Sequence, residues 1–414
     1  MKLYLASLAM LFSAASLAHA DLIAHYDFDT VETSGGVSTT DEVTTGGTHF
    51  ATGGSRATFD QSRRRLGTGS LVLKSVAGTE VPGNDGAVSS NTFDWSSSDV
   101  RTIAFWMRAA VTQTDAQPTM ISFRVATGTA NFQRFDVRLD AGKLRVELQG
   151  GGFTATSASV LNDDKWHHVA VVVPVAVATL GNVKYYIDGA FIGTMTGTQA
   201  INTATSPLRM GDSLHDVSRD FTGALDDVRL YNEALDDAAI LALYQNAQAN
   251  GPQIIFFEPD LPVSPPGAAR TLRYQLSTGV TTASINQGIG SVLPVDSIGY
   301  GTVAISPVTT TEYTLDTLRG AEVSQAKTSI RVSSEPLVLD FVYGPQPGRA
   351  RMFVFMPDPT KNYYLTRSAD LADGFTSVVS QFLLPSVPYQ EVIDITAPAG
   401  RAFYRLEPED VPPP

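Results

Sequence analysis

The chain contains no cysteine. That removes disulfides, thiolate metal sites, cysteine nucleophiles and lipid-modified cysteine anchors at one stroke. Cations are scarce as well: 29 Lys and Arg stand against 42 Asp and Glu, a formal net charge of -13. This balance disfavours nucleic acid and anionic membranes as partners, and is compatible with calcium and neutral glycans. After residue 20 no apolar run reaches the roughly 18 residues that insert into a bilayer. The longest, Val169 to Val177, is broken by Pro174. Catalytic patterns are missing too. There is no Glu-x-Asp-x-x-Glu strand to face two carboxylates into a cleft and no Gly-x-Ser-x-Gly elbow. Arg145 to Gln149 supplies one lone carboxylate, Glu147.

The N-terminus has the pattern of a secretory signal. Lys2 precedes the apolar stretch Leu3 to Leu17, and Ala18-His19-Ala20 supplies a cleavage site, so the mature chain is expected to begin near Asp21. An exported chain without cysteine suits a bacterial envelope or medium, with the protein secreted or held at the cell surface. From Asp21 to about Asn250 short strand signals follow one another, separated by Gly, Ser, Thr and Asp. Arg101 to Arg108 is a long apolar strand. Phe132 to Leu139 and Lys143 to Leu148 form a hairpin across Asp140-Ala141-Gly142. Trp166 to Val173 and Val183 to Ile187 form another pair, and Asp188-Gly189 turns the chain again. One terminal helix is expected. Asp236 is its N-cap, Leu235 and Ile240 form a hydrophobic staple, and Gly251-Pro252 stops it. Such a pattern predicts an all-β sandwich or jelly roll.

The strings KWHHVAVVV, VKYYIDGAFIGT and FTGALDDVRLYNEALDDAAILALY occur in that order. With the opening LIAHYDFD and the strand RTIAFWMR, they resemble the laminin-G-like jelly rolls of the concanavalin A-like superfamily. The resemblance covers residues 21–250. It implies two antiparallel sheets face to face, glycan or protein binding, and in many members a structural calcium ion. Some relatives on this scaffold are enzymes. Residues 251–334 resemble a cysteine-free bacterial immunoglobulin-like module. Residues 335–414, with NYYLTRSADLADGFTSV and RAFYRLEPE, resemble a short C-terminal β module of secreted bacterial proteins. Both are expected to be small β-sandwiches.

Candidate sites follow from residue type and parity. In an extended strand Ala224, Asp226, Val228 and Leu230 share one face, which places Asp226 on the core side and Asp227 beside Arg229 on the polar side. A core-side carboxylate needs compensation, by backbone donors or by a metal. The resemblance suggests a calcium set of Asp29, Asp41 and Asp226. The alternative is that Asp27 and Asp29 only cap a turn. Trp95, in the polar stretch DWSSSD, is the aromatic candidate for a glycan, against a reading as a hydrophobic plug. Adjacent His167 and His168 point to opposite faces and cannot readily share an ion. GDSLHDVSRD (211–220) is a polar rim loop that could serve recognition or calcium, and Arg63-Arg64-Arg65 reads as a solvated run. Taken together, the residues point to a secreted modular binding protein for a glycan or cell-surface ligand. The alternatives are an adhesive protein that binds another protein, or a glycan-active enzyme with an unrecognised site.

Overall fold

The computed structural model describes residues 22–29, 31–32, 38–40, 50–53, 56–60, 63–73, 86–95, 99–111, 113, 117–124, 134–148, 151–154, 159–176, 178–214, 219–343, 350–369, 375, 377–394, 396–397 and 402–409. The signal-like segment and Asp41 lie outside them. The described residues divide into two compact units, one within 1–61 and 68–247, the other within 62–67 and 248–414.

The first unit is the all-β sandwich that the strand pattern predicts. One antiparallel sheet runs, in order, through Ala190–Thr194, Lys184–Ile187, Trp166–Val173, Arg101–Ala109, Gly223–Tyr231, Ser70–Leu73 and Ala57–Asp60, with Leu22–Tyr26 also paired to Gly223–Tyr231. A second sheet runs through Gly151–Thr154, Lys143–Leu148, Phe135–Asp140, Thr119–Phe123, Ser206–Met210 and Ala87–Phe93 to three short strands. Alternation decides what each strand buries. Ile103, Phe105 and Met107 point inward from the first sheet, and Val137, Leu139 and Leu208 from the second, into one shared core. Two of the hairpins use the same turn chemistry. Ala141-Gly142 and Asp188-Gly189 both adopt positive φ at both positions, the geometry that matches the twist of the flanking strands. At Gly142, φ +79, a Cβ would lie 2.1 Å from Asn162 Oδ1, so a side chain there would both strain the backbone and displace Asn162.

The helix spans Asp237–Asn250. Ala239 N donates to Asp236 Oδ1 at 2.8 Å, as an N-cap requires. Leu235 and Ile240 pack in one cluster with Ala104, Ala170, Val172 and Tyr186 on the outer face of the first sheet. Tyr244 stacks on Trp106 with ring centroids 5.6 Å apart. In the second unit two separate apolar clusters form, one from Ile254 to Ile330 and one from Ala350 to Leu406, both built from strands.

The parity split of the two aspartates is corrected. Opposite Arg101–Ala109, Asp226 pairs with Trp106 and Arg229 with Ala104, so one extra residue is inserted between them. This is a β-bulge, and Asp227 takes φ +51 to make it. Aspartate tolerates the left-handed region better than most residues. The bulge turns Asp226 to the helix side with Trp106, while Leu225 and Val228, three apart, both enter the core. Asp227 is not solvated either: it is 8% exposed. Its Oδ1 accepts from His25 Nε2 at 2.6 Å and from Arg229 Nε and Nη2 at 3.0 and 2.9 Å. Burial works to raise its pKa, and the contacts from His25 and Arg229 outweigh this and hold it below the usual carboxylate range.

Asp227→Ala would remove the acceptor that His25 and Arg229 share and place alanine in a left-handed backbone. We expect it to destabilise the first unit by about 2–3 kcal/mol, and Asp227→Asn to cost less. Because the folded pKa is depressed, this stabilisation is present above the unfolded pKa of 3.8 and is lost as pH falls below it. Urea unfolding of wild type and variants at pH 7 and pH 3 measures both effects.

Candidate ligand-binding face

Asp27 and Asp29 shape the end of the first strand. Asp29 N donates to Asp27 Oδ1 at 3.0 Å. Asp29 Oδ1 in turn accepts from the backbone N–H of Thr68 at 2.5 Å and of Gly69 at 3.0 Å. These are turn-capping contacts. Asp226 is fully buried at the bulge on the helix side of the sheet. Among the described residues no three His, Cys, Asp or Glu side chains group as a metal would require.

Trp95 is corrected from ligand contact to core. It is 3% exposed, packs against Phe93 and Phe123, and donates from Nε1 to Asn232 Oδ1 at 2.6 Å. The Arg101 guanidinium carbon lies over its ring, 5.1 Å from the centroid. No ring face is left for a sugar. The 211–220 stretch is also drawn inward at its ends: Asp212, Ser213 and Asp220 are buried, and Arg56 pairs with Asp220 at 3.1 Å. Of the Arg63–Arg65 run, Arg63 is exposed and Arg64 half-buried, while Arg65 is buried, so the run is solvated only at its start.

The charged face that sequence reasoning missed lies on the outside of the second sheet. Phe135–Asp140 and Lys143–Leu148 turn their apolar residues inward, which sends Asp136, Arg138, Arg145 and Glu147 outward. Asp136 stands opposite Glu147 on one side and Ser122 on the other. Ser122 Oγ donates to Asp136 Oδ1 at 2.6 Å, and Arg138 Nη2 donates to Asp136 Oδ2 at 2.6 Å. Arg134 Nε lies 3.2 Å from Asp136 Oδ2. Glu147 is ringed by four guanidiniums. Arg134 hydrogen-bonds to it, Arg145 lies at 2.9 Å, Arg219 at 3.1 Å and Arg138 at 3.6 Å. Arg145 also reaches Asp140 at 2.8 Å. The signal was present in the sequence as Arg-x-Asp-x-Arg (134–138) and Arg-x-Glu (145–147), charges spaced by two between apolar residues. Both carboxylates are held by arginines, and Asp136, Arg138 and Glu147 are buried within the network they form.

Comparison with known proteins matches the sandwich by sequence. A model described as the concanavalin A-like lectin/glucanases superfamily, Laminin G type, matches residues 82–241. The match takes in the charged hairpin and most of the helix-side sheet. A 92-residue stretch is 33% identical to adhesion G-protein coupled receptor V1 of Danio rerio, and covers 21% of this chain and 1% of that receptor. Similar solved structures include domain 4 of AbnA, an extracellular arabinanase from Geobacillus stearothermophilus, in complex with arabinotriose. It shares 18% identity over 54% of this chain and 98% of that one, with a TM-score of 0.38. The binding domain of Paraclostridial Mosquitocidal Protein 1 shares 13% identity over 81% and 77% of the two chains, with a TM-score of 0.41.

The tandem histidines are structural. His168 lies against Trp106 and Tyr244 at ring distances of 5.3 and 6.3 Å. His167 is gripped at both nitrogens, by Asp188 at 2.8 Å and Asp163 at 3.1 Å. Burial would lower its pKa, but the ion-paired hydrogen bonds outweigh burial and hold it at about 9. A raised pKa stabilises the fold fully below the unfolded value of 6.5, and the gain is lost as pH rises through about 9. The gain is on the order of 3 kcal/mol. Wild type should therefore lose stability between pH 6.5 and pH 10 relative to His167→Gln, read as the difference in urea midpoint across that range.

Proposed function

We propose that this chain is an exported bacterial binding protein whose jelly roll recognises a glycan or other cell-surface ligand without catalysis, through the outer face of the second sheet. The observation that carries the reading is the buried arginine cluster around Asp136 and Glu147. Charges are removed from water here at a cost in stability that a purely structural face would not require. The superfamily match over the same strands supports a binding role. Export is inferred from Lys2, the apolar Leu3 to Leu17 and Ala18-His19-Ala20, together with the lack of cysteine. No helix among the described residues is long and apolar enough to cross a membrane. A non-catalytic role is favoured because Asp136 and Glu147 are each engaged by two or more arginines, where a general acid and a nucleophile need access to substrate.

In the second unit the two apolar clusters are read as an immunoglobulin-like spacer and a short terminal β module. A second reading, an adhesive protein that binds another protein, is favoured by the terminal module. Val378, Leu383, Leu384 and Val387 are all exposed there.

A glycan array probed with the full chain, with and without EDTA, tests the proposal. Binding that Glu147→Ala lowers at least tenfold is expected, since that change unseats four guanidiniums at once. Silence across glycans beside capture of a purified surface protein would favour the adhesive reading, and release of reducing sugar would favour an enzyme. Binding abolished by EDTA would add a calcium ion and direct attention to Asp29, Asp41 and Asp226.

A further inference from the structure

Arg124 is the residue of this face that the hydrogen-bond network does not use. It follows Phe123 at the end of the Thr119–Phe123 strand. Phe123 stands opposite Phe135 and Ser122 opposite Asp136. One further step of that register sets Arg124 opposite Arg134, on the face that carries Ser122 and Asp136. Arg124 is 7% exposed, yet it has no ion pair or hydrogen bond among the described residues, and its Nε is buried without a partner.

Its neighbours cannot satisfy it. Asp136 is already taken by Ser122, Arg134 and Arg138. Glu147 is already shared by Arg134, Arg138, Arg145 and Arg219. Beside Arg124, the residues Arg134, Arg138, Arg145 and Arg219 cluster with Asp136, Glu147 and Asp140, and Arg209, opposite Ser122 on the same face, has Asp212 as its own charge partner. Burial, followed by the like charge of Arg134, pushes the Arg124 pKa down against the pull of Asp136. An unpaired buried guanidinium beside other guanidiniums is costly. In a chain of net charge -13 such a cluster of guanidiniums is a specific feature and not a general property of the surface.

We propose that Arg124 is the anchor for an oxyanion on the ligand, so that this face takes an acidic glycan, one bearing carboxylate or sulfate, in preference to a neutral one. The guanidinium fork presents parallel N–H donors that match such a group bidentately. The glycan part of this inference rests on the binding reading above, while the anion site stands on Arg124 and its neighbours.

The test uses the full chain, wild type and Arg124→Gln. Titrations are run with polygalacturonate, its carboxyl-reduced neutral form and chondroitin sulfate. Melting curves are recorded with and without inorganic sulfate and acetate. Wild type should bind one or both acidic polymers, and Arg124→Gln should weaken that binding about 10- to 100-fold. Carboxylate and sulfate sources are told apart by which polymer binds. Without ligand, Arg124→Gln should melt no lower than wild type, since it removes an unpaired buried charge. Simple anions should raise the melting temperature of wild type more than that of the variant. Equal affinity of wild type for the acidic and reduced polymers would overturn the acidic preference while leaving the binding face intact. Arg124-dependent stabilisation by sulfate with no glycan bound would keep the anion site and sink the glycan reading. A marked loss of melting temperature in Arg124→Gln, or equal anion response in both proteins, would overturn the anion site itself.

Discussion

Backbone pairing along Gly223–Tyr231 holds the first unit together. This one strand is hydrogen-bonded to Arg101–Ala109 on one edge, and on the other to Ser70–Leu73 through its first half and Leu22–Tyr26 through its second. It ties segments some two hundred residues apart, so most of the loop-closure entropy of the sandwich is spent around it. Its chain then continues through Leu235 into the helix that covers the outer face of the same sheet. The bulge at Asp227 belongs to this role. By inserting one residue it bends the strand and allows both halves to present apolar side chains to the core.

The two sheets are finished differently on their outer faces. The first is sealed by apolar and aromatic packing, with Ile240 among the aliphatic residues and Tyr244 on Trp106. The second carries charge. Arg138 and Arg145 stand directly opposite across the hairpin, where like charges repel, and Glu147 between them offsets the repulsion. Such an arrangement is stable only while each charge has its counter-ion. That condition makes the face sensitive to what touches it, and it singles out the guanidinium at Arg124 that lacks one.

Much of the local structure was legible from residue types. The helix start at Asp236, its staple and its stop are all where capping chemistry puts them. The turns at Ala141-Gly142 and Asp188-Gly189 follow from residues that accept positive φ. Trp106 and Trp166 are buried within apolar strands, as their surroundings require. The candidate site was less legible. Trp95 sits in a polar stretch, yet Phe93 and Phe123 supply its packing and Asn232 its hydrogen bond. Asn232 is far off in the sequence, and nothing local announced it.

By itself, then, the sequence determined which segments become strands and helix, where they turn, and that the chain folds as a sandwich. These depend on backbone preferences and on alternation within a few residues. Only the tertiary structure decided which face each charge occupies and whether it is paired. Asp226 changed sides because of a single inserted residue in register with a strand over a hundred positions away. The arginine cluster exists because strands at 119–123, 135–140 and 143–148 are laid side by side and Arg219 is brought up to Glu147. Pairing of that kind is a property of long-range register, which no window of the sequence contains.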